Sequence, residues 1–82
     1  MKTFIVLIPV NDYDNGKTVA ENIQGKTFKK GTLRDKVMFK LKSSEGEEDN
    51  GISILTLADF MSYCNENDGM LNEWVASVNV EE

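Results

Sequence analysis

The chain has 82 residues and a mass of 9.2 kDa, enough for one small domain and too little for a multidomain enzyme or a repeat array. It holds no histidine and one cysteine, which excludes an internal disulfide, the usual Cys/His structural zinc site and every histidine-based catalytic dyad or triad. The net charge of −5 divides unevenly: residues 1–42 carry nine Lys and Arg against four Asp and Glu, a balance of +5, whereas residues 43–82 carry ten acidic residues and no basic one.

Residues 2–10 (KTFIVLIPV) are a continuous β-branched and apolar run, which predicts a central strand buried on both faces. A short buried helix is the rival, but the segment Asn11 to Gly16 stops it, with Asn15-Gly16 as a turn signal. The run meets Pro9 and Asn11-Asp12 too soon for a signal peptide. No stretch approaches the roughly 20 apolar residues of a membrane helix. With the single Cys64, these features predict a cytoplasmic protein.

Over residues 18–24, Thr18 and Glu21 have capping-box spacing, Val19 and Ile23 lie four apart, and Gly25 suits a helix end. The segment predicts a helix of under two turns, the rival being a strand between turns. Residues 34–42 (RDKVMFKLK) alternate, with Arg34, Lys36, Met38, Lys40 and Lys42 on one side and Val37, Phe39 and Leu41 on the other. Period two with an apolar face predicts a half-buried strand. Residues 43–50 (SSEGEEDN) read as an acidic loop, and 51–56 (GISILT) as another strand. Thr56 then caps a helix over 57–68, whose Leu57, Phe60, Met61 and Cys64 form one apolar stripe before Asp68-Gly69 ends it. Residues 73–80 (EWVASVNV) alternate again, with Trp74, Ala76, Val78 and Val80 sharing a side.

The order β, short α, β, β, α, β predicts a single α+β domain over 1–82. Its expected form is a small antiparallel sheet with one or two helices on one face, matching the split βαβ plan called ferredoxin-like.

Residues Ala20 to Thr27 fit a relaxed phosphate-loop pattern, but Gly31 interrupts any helix that would aim its N-terminus at phosphate. Asp12-x-Asp14-x-Gly16 and Glu47-x-Asp49-x-Gly51 resemble the opening of calcium loops, yet place Gly at the fifth position with no Glu at the twelfth; turn chemistry explains both. Cys64 lies on the apolar stripe, and no histidine exists to activate it. No catalytic residue, metal ligand or cofactor is assigned, and the chain reads as a binder rather than an enzyme.

Two charged arrays carry that reading. The basic one comprises Lys29, Lys30, Arg34, Lys36, Lys40 and Lys42, preceded by Lys26. Such a set suits RNA phosphates, with salt-sensitive affinity, and Phe28 or Tyr13 would add stacking. The competing account is that lysines on an edge strand block aggregation. Pairing of Lys40 or Lys42 with Glu47 or Glu48 would also quench the array. The acidic array places Asp59, Tyr63 and Glu66 opposite the helix stripe, with Asp68 at the end. Glu45, Glu47, Glu48 and Asp49 add a second negative patch. Carboxylates around an aromatic anchor suit an electropositive groove on another protein such as a nuclease, Tyr63 serving as hot spot. The competing account is a solvated helix face.

The Met-Lys-Thr-Phe-Ile-Val-Leu-Ile start, the richness in Asn, Asp and Glu, the absence of His and the acidic second half resemble the small early accessory proteins of T-even-like tailed phages. That resemblance implies a protein that binds and blocks a host factor, in some cases a toxin or restriction nuclease. Antagonists of ribonuclease toxins in this group are similar in size, and some bind RNA. The resemblance assigns no individual residue. The expected function is therefore a non-enzymatic inhibitor of a host defence factor, acting through the acidic face. The alternatives are an RNA-binding module over 26–42, which tethers a ribonuclease toxin to RNA, and a small homo-oligomeric assembly subunit.

Overall fold

The apolar run near the start of the chain is the strand on which the rest is built. The computed structural model describes residues 1–43 and 51–81. Strand β1 (Lys2–Pro9) buries Ile5, Val6, Leu7 and Ile8 in succession. Successive strand residues point to opposite faces, so four buried in a row need cover on both sides.

That cover comes from three helices. After β1 follow α1 (Gly16–Ile23), β2 (Thr27–Lys29), α2 (Leu33–Lys40), β3 (Ser53–Thr56), α3 (Leu57–Glu66) and β4 (Glu73–Glu81). The strands form one sheet in the order β2-β4-β1-β3. β1 runs antiparallel to both β3 and β4, whereas β2 runs parallel to β4. The expected α+β class is therefore present as a four-stranded mixed sheet with three helices. The connectivity is not ferredoxin-like: the two central strands, β4 and β1, are antiparallel, and helices lie on both faces.

On the first face, Val6 and Ile8 of β1 and Ala76, Val78 and Val80 of β4 join Val19 and Ile23 of α1 and Leu33 and Val37 of α2 in one core. The expected alternation of β4 is what puts its residues there. The second face is thinner. Ile5 and Leu7 are buried but lie outside that core, under α3, which packs across β1 and β3. None of the α3 residues is fully buried.

The expected strand over 34–42 is a helix. Leu33, Val37 and Leu41 repeat every four residues, and Leu33 and Val37 face the core with Met38 and Leu41 packed against it. The fourth strand is instead Thr27–Lys29, whose Phe28 is buried beside its partner Val80. Gly31, with φ of +84°, turns the chain between them. The lysines of α2 therefore guard no sheet edge. On the edge strand β2 the one lysine is Lys29.

The other elements lie close to their expected places. The segment over 18–24 is helical, with Val19 and Ile23 inward, but it starts at Gly16 and not at a Thr18 cap. Gly16 is there for closeness: a Cβ on it would stand 2.8 Å from Cδ1 of Trp74. Thr56 caps α3 as expected, its Oγ1 accepting from the Asp59 N–H at 3.1 Å. The helix ends at Glu66, and Asp68 then takes a left-handed φ of 53°. Among the described residues, no helix is long and apolar enough to cross a membrane.

Candidate functional site

The basic and acidic arrays belong to different faces of the sheet. α2 shares the first-face core through Leu33 and Val37. α3 sits on the opposite face, where its Tyr63 meets Glu73 of β4; Glu73 points away from Trp74, Ala76 and Val78, which line the core.

Helix formation breaks up the expected lysine ladder. Lys36 and Lys40 lie one turn apart on the exposed side of α2, together with Asp35 and Phe39. These four line a shallow hollow of about 390 Å³. Phe39 is 90% exposed, although the alternation of 34–42 had placed it toward the core. Arg34 reaches the other way and donates from Nη1 to the Ile52 carbonyl at 2.9 Å. It joins Lys30 around a second hollow of about 270 Å³, floored by Phe4, Leu33, Ile54 and Val80. Lys29 is separated from all of these: it flanks Phe28 on the opposite side of the sheet, beside its strand partner Glu81. Lys42 is exposed just beyond α2.

One side chain fixes the end of α2. Asn15 donates from Nδ2 to the Lys40 carbonyl and accepts on Oδ1 from the Lys42 N–H, both at 2.8 Å. The Asp14 N–H adds a bond to the Lys42 carbonyl at 2.9 Å. Asn15 thus behaves like a peptide group in a strand, and it makes no side-chain cap for α1. Nothing in the spacing of Asn15 and Lys40 signals this contact.

On α3, Tyr63 does not share an outward face with Asp59 and Glu66. Its hydroxyl donates to Oε2 of Glu73 at 2.8 Å, and the residue is half-buried. The bond to Glu73 raises the phenol above its ordinary pKa, with desolvation and the Glu73 and Cys64 charges acting in the same direction. Phe60 and Cys64 are half-buried beside it, so this side faces the sheet. The helix is rotated relative to the expected stripe: Leu57 is 50% and Met61 67% exposed. At 100° per residue, Leu57 and Met61 form one flank, Asp59 and Glu66 the other, and Ala58, Ser62 and Asn65 the crest between. Asp59, Glu66 and Asp68 are all exposed. Glu45, Glu47, Glu48 and Asp49, and any pairing of Glu47 or Glu48 with Lys40 or Lys42, lie outside the described residues.

Among the described residues, no three His, Cys, Asp or Glu side chains gather in a way that would hold a metal ion. Compared with known families, curated proteins and solved structures, the chain finds no match.

Proposed function

We propose that this is a non-enzymatic binding protein of the phage accessory kind, which occludes a host defence factor such as a nuclease or toxin by laying α3 over a basic groove. The observation that carries this reading is the two-flanked surface of α3. Leu57 and Met61 leave half or more of their surface in water. The second flank, Asp59 and Glu66, is acidic and exposed. The crest of Ala58, Ser62 and Asn65 lies between the flanks, so a groove that receives the crest has one flank against each wall. Apolar contact then supplies affinity, and the carboxylates of Asp59 and Glu66 take the places that phosphates of a nucleic-acid substrate would occupy.

The contact differs from the one expected from sequence, because Tyr63 is engaged by Glu73 and the anchors pass to Leu57 and Met61. The test is capture of a partner from host lysate, followed by assay of its nuclease activity with and without the protein. The wild type inhibits; an Asp59→Lys, Glu66→Lys variant with an unchanged melting temperature does not. Undiminished inhibition by that variant rejects the reading.

A further inference from the structure

We infer that the outer side of α2 is a stacking site for single-stranded RNA, with Phe39 as the base platform and Lys36 and Lys40 as phosphate contacts. This site is separate from the surface proposed on α3 and lies across the sheet from it.

The first ground is Phe39 itself. Burial of a phenylalanine is worth roughly 1.5–3 kcal/mol, yet this ring is 90% exposed while Leu33 and Val37 of the same helix are buried. The fold gains nothing from an aromatic here. The second ground is what surrounds it. Among the described residues, the hollow beside the ring is lined by Lys36, Lys40 and Asp35, with no second apolar residue. A protein hot spot needs neighbouring contacts that exclude water, and the described residues supply none beside this ring. A nucleobase needs only an open ring face, and its attached phosphates need nearby cations.

The third ground is the charge of the segment. Residues 29–42 hold six Lys and Arg against Asp35 alone. Lys36 and Lys40 flank the ring, and Lys42 follows within two residues of Lys40. Asn15 grips the backbone at both Lys40 and Lys42, so that end of the helix is held beside the start of α1, with Asp14 next to Lys42. Lys29 takes no part, because it lies on the other face beside Glu81. A single platform stacks on an unpaired base, since bases in a duplex already stack on each other; single strands are therefore the ligand.

The test is fluorescence anisotropy with a labelled twelve-nucleotide uridine RNA, over a range of salt concentrations. With two or three phosphate contacts, the log–log dependence of affinity on salt should have a slope of roughly −1.4 to −2.1. Phe39→Ala should weaken binding about tenfold with little change in melting temperature, because the residue is 90% exposed. Phe39→Trp should keep the affinity or raise it. Lys36→Gln should weaken binding and flatten the slope by about 0.7. Absence of binding at low salt overturns the inference. So does a folded Phe39→Ala variant that binds as the wild type does, since charge alone would then account for binding. Equal competition by polyglutamate would assign the site to acidic protein, and tighter binding of the matching thymidine DNA would assign it to DNA; either outcome overturns the RNA assignment.

Discussion

α2 and α3 are similar in length, eight and ten residues, and each turns a charged side to water, but the sheet holds them very differently. α2 drives Leu33 and Val37 into the main core and is tied at its ends by Arg34 to Ile52 and by Asn15 to Lys40. α3 has no fully buried residue and rests on half-buried Phe60, Tyr63 and Cys64, a Thr56 cap and one hydroxyl–carboxylate bond. The difference separates an element that the core holds from one laid over the sheet. α2 is part of the frame and carries an exposed ring that the frame does not need. α3 is an added layer whose apolar residues are shared between the sheet and the solvent.

The contrast can be broken by mutation. Leu33→Ala should have the largest effect, a loss of about 2–4 kcal/mol in denaturant unfolding, because the residue is 6% exposed in the core. An effect no larger than that of Phe60→Ala on α3 would remove the distinction between frame and added layer. Gly16→Ala should cost about 1–3 kcal/mol, since the new methyl meets Trp74 and must displace it. A neutral result in the same unfolding assay would mean that Trp74 moves freely.

Smaller changes sharpen the comparison. Asn15→Ala removes two bonds to the end of α2 and should cost about 1–2 kcal/mol, with faster amide exchange at Lys42. Thr56→Ala should cost about 1 kcal/mol and raise exchange along α3 while leaving α2 unchanged. The smallest effect is a pH dependence. The Tyr63 phenol is raised by its bond to Glu73, so the neutral form favours the folded protein. Its contribution is intact below the ordinary phenol pKa of about 10 and is lost as pH rises through the raised folded value. Tyr63→Phe should lack this decline in alkaline unfolding curves, and an identical decline would place its cause elsewhere.

Much of this frame was legible in the sequence. The run Ile5 to Ile8 reads as a strand buried on both sides because apolar side chains occupy both phases of its alternation. Trp74 to Val80 reads as a one-sided strand for the opposite reason. α2 reads as a strand because its charges mimic period two: Lys36, Lys40 and Lys42 fall on even positions, and the exposed Phe39 fills an odd one beside Val37 and Leu41. The helical signal was the four-residue repeat of Leu33, Val37 and Leu41, which begins one residue before the apparent strand. The strand reading turns Phe39 toward the core, whereas the helix leaves it 90% exposed.

On α3 the helix and its cap were legible, but its rotation was not. Leu57, Phe60, Met61 and Cys64 look like the buried stripe by spacing alone. The actual seat is centred on Phe60, Tyr63 and Cys64, because Glu73 offers the tyrosine hydroxyl an acceptor on the sheet. That acceptor comes from a strand ten residues later, and helix periodicity carries no record of it. The order of strands was hidden for a similar reason. The three-residue β2 is too short to show alternation, and only its parallel pairing with β4 places it at the edge.

The proposed protein-binding surface is on α3 and not on α2. Its most direct test is titration of the captured partner with two variants that leave the core untouched, Leu57→Asp with Met61→Asp on α3 and Phe39→Ala on α2. The account predicts at least a tenfold loss of affinity for the α3 variant and wild-type affinity for the α2 variant. Loss of binding with Phe39→Ala, and its retention when both Leu57 and Met61 are replaced, would contradict it.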